Sequence, residues 1–219
     1  MIGLGEVHLW YVDLQVMPDS LSILDPAEQA RAARFVSDTS RQQFIAARAQ
    51  LRLLLGQLVG LVPEQVAFAT TGNGKPILAD LPTERQVHFN LSHSGRGMVL
   101  AVSRTHEVGV DLEWLRPRES YRELAARYFT SEEVARVTDL RSFYEIWTRK
   151  EAFLKALGLG LAGGLQGFAV NAGEPPCVLH VEGDVTAGQR WTLASGEPRE
   201  GAIVAVAIPA PNVPVIWHP

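Results

Sequence analysis

Two stretches of the sequence, GVDLE at residues 109–113 and WTRKEAFLK at residues 147–155, constrain the fold most, because each combines charged residues with a regular apolar spacing. The first alternates apolar and acidic residues, which predicts a strand. On a strand Asp111 and Glu113 point to the same face, about 7 Å apart. The two stretches together offer three carboxylates and two lysines at regular spacings.

The second stretch predicts a helix, because Trp147, Glu151 and Lys155 recur every four residues and share one stripe. An apolar stripe lies beside it, formed by Phe143, Ile146, Phe153, Leu154 and Leu157. Lys150 falls next to the apolar stripe. Its ammonium must therefore either reach the edge of the core or meet a partner.

Each stretch alone is also typical of an ordinary solvent-exposed surface that carries no site. Together, Asp111, Glu113 and Glu151 concentrate negative charge, and these carboxylates would repel one another unless a cation lies among them. Oxygen ligands favour a hard ion, so Mg²⁺ is predicted, with Mn²⁺ as a possible substitute. Lys155, one turn after Glu151, suits a phosphate of the substrate.

The same residues carry a family resemblance. The chain resembles the Sfp-type 4′-phosphopantetheinyl transferases, which have a G-[IV]-D-x-E segment and, some forty residues later, a W-[ST]-x-K-E-[AS]-x-x-K helix. Both patterns are met here. Gly74-Lys75-Pro76 and Phe89-Asn90-Leu91-Ser92-His93-Ser94 match two further segments, so the resemblance covers residues 25–165.

The resemblance implies an α+β fold of two similar α/β lobes related by a pseudo-twofold, with the ligand cleft between them. One repeat in the sequence agrees with it: the apolar run at 97–102 recurs at 201–206, although so short a repeat can arise by chance. We therefore expect an N-terminal, nucleotide-contacting lobe at 1–105 and a C-terminal, metal-binding and catalytic lobe at 106–219.

The activity implied is transfer of 4′-phosphopantetheine from coenzyme A to a serine of an apo acyl, peptidyl or aryl carrier protein, which releases adenosine 3′,5′-bisphosphate. The implied catalytic residues are Asp111, Glu151 and Lys155. The implied metal ligands are Asp111, Glu113 and Glu151. The implied coenzyme A contacts are Arg48, Lys75, Pro76, Ser92, His93 and Lys155. Either Glu151 or a metal-bound water would accept the serine proton.

Taken singly, the coenzyme A residues are weak signals. A helix is predicted from Asp25 to Arg34 and another over 40–58, and the arginines of the second form either a solvated face or a phosphate site. Ser92 and His93 are expected in a loop at the end of a strand, where both can reach a phosphate oxygen. Other residues are expected to be structural: Ser120 as a helix cap and Glu133 as a capping acid, although the family carries a functional glutamate near that position.

Two other functions remain open. A metal-dependent phosphohydrolase acting on a nucleotide diphosphate could use the same three acids, and a non-catalytic carrier-binding module could keep the fold. Trp114 and Leu115, followed by Arg116 and Arg118, are expected to be exposed and would suit a small acidic helical partner, but a loop packed on the core is an equal alternative.

Composition sets the remaining bounds. With 219 residues, 47% of them hydrophobic, the chain can bury a substantial core, and its net charge of −4 argues against a nucleic-acid binder. The single cysteine, Cys177, fits a reducing compartment and is expected to be buried. No apolar run approaches a membrane span. We expect a cytoplasmic monomer, with the proline-rich tail from Pro209 as a surface strap.

Overall fold

The computed structural model describes residues 2–15, 20–159 and 164–218. Helices and strands are mixed along these ranges, which confirms the α+β class. The strands are β1 Val7–Asp13, β2 Phe68–Thr70, β3 Pro76–Leu78, β4 His88–Ser94, β5 Gly97–Ser103, β6 Gly109–Trp114, β7 Phe168–Val170, β8 Val178–Val181, β9 Thr192–Arg199, β10 Ala202–Ile208 and β11 Val215–His218. The helices are α1 Pro26–Ala33, α2 Asp38–Val59, α3 Tyr121–Tyr128, α4 Ser131–Val134 and α5 Leu140–Leu157.

Two main sheets organise the chain. One has the strand order β11-β1-β5-β4 and the other β6-β10-β9, and two-stranded pairs are formed by β2 with β3 and by β7 with β8. Every residue of β5 and of β10 is buried, as their apolar sequences predict. All of these pairs are antiparallel except that between β1 and β11.

The tail is not a surface strap, so that prediction was wrong. Its last strand, β11, runs parallel to β1 with Val7 opposite Val215. Without this strand β1 would be an exposed sheet edge, and pairing satisfies its backbone groups. The near-alternation of apolar residues over 7–16 predicts a strand there; β1 ends at Asp13, and Val16 lies outside the described residues.

Capping residues set most helix boundaries. Asp25 and Glu28 form a capping box at the start of α1, and Thr130 forms one at the start of α4 with Glu133, the predicted capping acid. Helix α5 ends at Gly158, whose φ of 69° is the left-handed conformation that favours glycine. The glycine-rich sequence after the helix also predicts a turn at Gly160 and Gly163, but both residues lie outside the described residues. Ser120 precedes α3 but its side chain makes no capping hydrogen bond, contrary to prediction.

The cysteine prediction was also wrong, because Cys177 is exposed. It lies just before β8, where its backbone N–H donates to Asn171 Oδ1 at 2.7 Å, and this turn keeps the thiol outside the core. Among the residues that the structure describes, none of the helices has the length and apolarity to cross a bilayer.

A glycine sets the spacing between β6 and α5. A Cβ atom built on Gly109 would lie 2.1 Å from the carbonyl oxygen of Ala152 and 2.2 Å from the backbone nitrogen of Ala156. Both are backbone atoms of α5 and cannot rotate away. Only glycine therefore allows the strand and the helix to approach this closely.

We expect Gly109→Ala to lower the free energy of unfolding by about 1–3 kcal/mol, because α5 must move off the strand to admit the methyl group. Gly167→Ala is the matched control, since a Cβ there meets nothing within 4 Å. Urea denaturation of both variants measures the difference. Equal stability of Gly109→Ala and the wild type would contradict the close packing.

Candidate functional site

The acid-bearing strand and the lysine-bearing helix meet. Asp111 on β6 is buried, and Lys155 Nζ donates to its Oδ1 at 2.6 Å. The same ammonium donates to the Val110 carbonyl at 3.2 Å. The structure thus brings together two of the residues that the sequence nominated, from elements some forty residues apart in the chain.

Glu151 and Glu113 lie close enough to Asp111 to feel its charge. Burial and then the Asp111 carboxylate raise the pKa of Glu151 to about 7, with Lys155 opposing and Glu113 adding to the rise. Burial and Asp111 also raise the pKa of Glu113, against the opposing effects of Ser94, Arg116 and Arg118. The three carboxylates therefore share one field of negative charge.

The carboxylate oxygens of this site are suitable ligands for a hard cation. Asp111 Oδ2 is buried and has no hydrogen-bond partner among the described residues. Within residues 2–15, 20–159 and 164–218, no three His, Cys, Asp or Glu side chains form a preassembled metal cage. Mg²⁺ does not require one, because it commonly takes one or two carboxylates and completes its shell with water and substrate phosphates.

Two serines approach the acids from β4. Ser92 Oγ donates to Asp111 Oδ1 at 2.8 Å, and Ser94 Oγ donates to Glu113 Oε2 at 3.1 Å. The predicted loop from Ser92 is wrong, because β4 continues to Ser94 and pairs with β5. The turn between those strands needs only Gly95 and Arg96, and Gly95 has a φ of 56°.

His93 follows Ser92 and is exposed on β4. Desolvation of its ring by the surrounding protein, and then the charge of Lys155, lower its pKa. The imidazole is therefore favoured as neutral beside the ammonium, where it can offer a ring nitrogen to a bound anion.

A separate cavity of about 520 Å³ opens between α1, α2 and the β2–β3 hairpin. Arg48 and Pro76, both nominated from the sequence, line it with Phe44, Phe68 and Gly74. The Arg48 guanidinium lies over the Phe68 ring, 4.5 Å from its centroid, and is paired with Glu28. Aromatic and basic groups thus meet in one concave surface.

Lys75 does not line that cavity. Its Nζ donates to Glu107 Oε2 at 2.7 Å and to the Val108 carbonyl at 3.1 Å. The contact ties the turn that precedes β3 to the residues that precede β6. The cavity rim at Pro76 is thereby connected to the strand that carries Asp111.

Two further arginines of the cavity, Arg31 and Arg34, were not nominated as site residues from the sequence. Both are exposed, line the cavity and form no ion pair within the described ranges. Their spacing of three residues on one helix face was an available signal. Arg52 is neither solvated nor phosphate-binding: it is buried and donates to Glu28 and Asp25, each at 2.7 Å.

Lys150 meets a partner rather than reaching the edge of the core. Its Nζ donates to both carboxylate oxygens of Glu133, at 2.7 and 2.8 Å, and to the Phe168 carbonyl at 2.6 Å. Both side chains are fully buried. The predicted capping role of Glu133 is confirmed, and its buried, occupied oxygens leave it no contact with a substrate.

The predicted exposed docking segment is partly packed instead. Trp114 and Leu115 are half-buried, and the Trp114 indole N–H donates to the Ser94 carbonyl at 2.8 Å. Arg118 remains exposed and borders a groove of about 460 Å³. The groove is also lined by Leu124, Arg127, Tyr128, Trp147 and Leu165.

Comparisons with known proteins agree along the chain. Residues 107–206 match the family described as "4′-phosphopantetheinyl transferase superfamily", and residues 9–105 match "4′-phosphopantetheinyl transferase, N-terminal". The 4′-phosphopantetheinyl transferase HetI of Nostoc sp. is 36% identical over 225 residues, covering 97% of this chain and 92% of its own length.

Two other relatives are similar over most of their lengths. The 4′-phosphopantetheinyl transferase Sfp of Bacillus subtilis is 30% identical over 172 residues, covering 76% of this chain and 71% of its own. The L-aminoadipate-semialdehyde dehydrogenase-phosphopantetheinyl transferase of Mus musculus is 27% identical over 213 residues, covering 86% and 68% respectively.

Proposed function

The chain belongs to the 4′-phosphopantetheinyl transferase superfamily, and we propose that it performs the transfer with Mg²⁺ and with the side chains of Asp111, Glu113, Glu151 and Lys155. It is an enzyme that moves the phosphopantetheine group of coenzyme A to a carrier protein. The accepting group is a carrier serine and the second product is adenosine 3′,5′-bisphosphate.

One observation carries the proposal: a single ammonium, Lys155, contacts Asp111 Oδ1 while Asp111 Oδ2 is buried without a hydrogen-bond partner among the described residues. A lone buried carboxylate oxygen is unfavourable unless something binds it. Beside it, Glu151 has its pKa raised to about 7 by burial and by Asp111. This combination suits a site that binds a cation and handles a proton.

In the proposed reaction the serine oxygen attacks the phosphorus that bears the pantetheine group. The new P–O bond forms as the bond to the bridging oxygen of adenosine bisphosphate breaks, and the serine proton passes to Glu151. A carboxylate placed to accept the proton as a general base typically contributes about 10²–10⁴ in rate. Lys155 stabilises the charge on the leaving side.

Mg²⁺, or Mn²⁺ in its place, would be held by Asp111, Glu113 and Glu151 and would neutralise charge on the diphosphate. Ser92, whose hydroxyl lies on Asp111, and His93, whose ring is near enough to Lys155 for its charge to lower the ring's pKa, are proposed to contact that diphosphate from β4. Desolvation, and then the charge of Lys155, favour the neutral state of His93, which allows its ring to donate one hydrogen bond without adding charge.

The nucleotide portion of coenzyme A is proposed to occupy the 520 Å³ cavity. Arg31 and Arg34 would bind the 3′-phosphate, because no carboxylate of the described chain neutralises them. Arg48 and Pro76 would line the base and ribose, with Lys75 at the rim toward β6. Phosphate binding by a pair of arginines is favoured by their forked donors.

The carrier is proposed to dock along the groove bordered by Arg118 and Arg127, where Trp147, Tyr128 and Leu165 supply apolar contacts. Two exposed cations around an apolar floor suit a small acidic helical protein. The groove also lies on α5, the helix that carries Glu151. An acyl, peptidyl or aryl carrier would satisfy this description.

The proposal also includes predictions about the lobes, the oligomeric state, the cellular location and the binding partners. We propose that lobes 1–105 and 106–219 are related by a pseudo-twofold with the ligand cleft between them, with β11 of the second lobe joining the sheet of the first, and the packing of β4 against β6 at the acids supports the cleft. We also propose a cytoplasmic monomer that binds neither nucleic acid nor membrane, which the net charge of −4 favours.

The test is mass spectrometry of apo carrier proteins after incubation with the enzyme, coenzyme A and Mg²⁺. We expect a carrier to gain one phosphopantetheine group, and we expect EDTA to prevent the gain. Release of phosphopantetheine from coenzyme A without any carrier would instead identify a phosphohydrolase. Carrier binding without any mass gain would identify a non-catalytic binding module.

A further inference from the structure

The two serines of β4 match the two acids of β6 one to one. Ser92 and Ser94 are two residues apart, as are Asp111 and Glu113, and each serine hydroxyl donates to one acid. Alternation along a strand gives both pairs the same spacing. Each carboxylate therefore has one oxygen engaged by β4.

Ser94 has further contacts that fix its own position. It is buried, its Oγ accepts a hydrogen bond from Arg116 Nη2 at 3.2 Å, and its carbonyl accepts the Trp114 indole N–H at 2.8 Å. Because the Arg116 donor occupies a lone pair of Oγ, the hydroxyl proton is directed to Glu113 Oε2. A hydroxyl held by two hydrogen bonds, on a residue whose backbone carbonyl is also bound, can orient a carboxylate.

From this geometry we propose that Ser94 is a positioning residue that orients Glu113 toward the divalent cation. The inference rests on the function proposed above, and nothing in the sequence motifs assigned Ser94 a role. The hydroxyl binds Oε2, and in the part of the chain that the structure describes Oε1 accepts no hydrogen bond. Oε1 is therefore the oxygen available to a cation.

Ser94 also separates two opposite charges. Arg116 reaches the Ser94 hydroxyl, and no ion pair between Arg116 and Glu113 is present in the described ranges. If the hydroxyl were removed, the guanidinium and the carboxylate would be free to pair directly, and such a pair would compete with the cation for Glu113. Ser94 thus keeps a neighbouring cationic side chain from occupying the metal ligand.

The first experiment measures Mn²⁺ binding by electron paramagnetic resonance, with coenzyme A present and no carrier. We expect Ser94→Ala to raise the Mn²⁺ Kd about tenfold, the lower end of the effect of removing a group that orients a metal ligand. Ser103→Ala is the matched control, because that buried hydroxyl donates to the Glu6 carbonyl, at 2.9 Å, and accepts the backbone N–H groups of Thr105 and His106 rather than contacting an acid of the site. Its Kd is expected to equal that of the wild type.

A double-mutant cycle with Glu113→Gln tests whether Ser94 acts through Glu113. In the Glu113→Gln background, Ser94→Ala should add less than twofold to the Kd. In carrier loading, Ser94→Ala should raise the half-saturating Mg²⁺ concentration about tenfold and lower turnover at saturating Mg²⁺ less than threefold.

The possible outcomes distinguish failure of the Ser94 proposal from failure of the proposed metal site. A wild-type Mn²⁺ Kd for Ser94→Ala, alongside weakened binding by Glu113→Gln, overturns the role of Ser94 and leaves the metal site standing. A full tenfold effect of Ser94→Ala in the Glu113→Gln background also overturns it, since the hydroxyl would then act elsewhere. Unchanged binding in both Asp111→Asn and Glu113→Gln would instead remove the proposed metal site itself.

Discussion

Glu151→Gln is expected to lower carrier loading about 10²–10⁴-fold, the usual contribution of a general base, with coenzyme A and Mg²⁺ at saturation. The amide retains the shape of the carboxyl group but can neither accept the serine proton nor contribute negative charge to a cation. The measurement is the initial rate of carrier loading. Glu145→Gln on the same helix is the control, because Glu145 lies away from the acids and contacts Gly173 N and Arg141.

The same substitution should stabilise the metal-free protein at alkaline pH. Burial and Asp111 raise the folded-state pKa of Glu151 to about 7 from an ordinary value of 4.5. A raised carboxyl pKa means that the folded state binds the proton more tightly than the unfolded state. Its favourable contribution is complete below pH 4.5 and is lost as pH rises through 7.

Above pH 7 the partly buried Glu151 carboxylate of the wild type is charged. After allowance for solvent screening, this charge lowers the free energy of unfolding by about 1–3 kcal/mol. Glutamine carries no such charge, so the melting temperature of the variant in EDTA should exceed that of the wild type by several degrees more at pH 8 than at pH 5. Equal differences at the two pH values would argue against a carboxyl group with a raised pKa at position 151.

Local patterns predicted the elements of the site but not all of their contacts. Period-two and period-four spacings are properties of single segments, and they correctly placed the acids on β6 and Glu151 and Lys155 on α5. Capping boxes are equally local, which is why α1 and α4 begin where the sequence indicated.

Features that depend on distant pairing were missed. The contact between β1 and β11 joins residues more than two hundred positions apart, and no local pattern encodes that register. The sequence did not indicate a role for Ser94, because its position opposite Glu113 follows from the β4–β5 hairpin and from packing between sheets. The burial of Arg52 likewise depends on two acids of α1, the N-cap Asp25 and Glu28 in the first turn.

Lys150→Met is expected to lower the free energy of unfolding by about 3–5 kcal/mol, because it leaves the Glu133 carboxylate buried and unpaired. In the wild type that carboxylate also accepts the backbone N–H of Thr130 and of Val170, each at 2.8 Å. Lys150 therefore ties α5 to α4 and β7 through one acid. Chemical denaturation at pH 7 measures the loss.

The double variant Lys150→Met/Glu133→Gln tests whether the ion pair between Lys150 and Glu133 has a structural role or a catalytic one. Glutamine is neutral and can still accept the Thr130 N–H, so most of the lost stability should return. Arg141→Met is the surface control, expected to change stability by less than about 1 kcal/mol because its ion pair with Glu197 is solvent-exposed. Since neither buried side chain reaches a substrate, the refolded double variant should load carriers within a few-fold of the wild-type rate. A thousandfold loss in a stably folded double variant would mean that Glu133 or Lys150 takes part in the chemistry and would contradict their purely structural role.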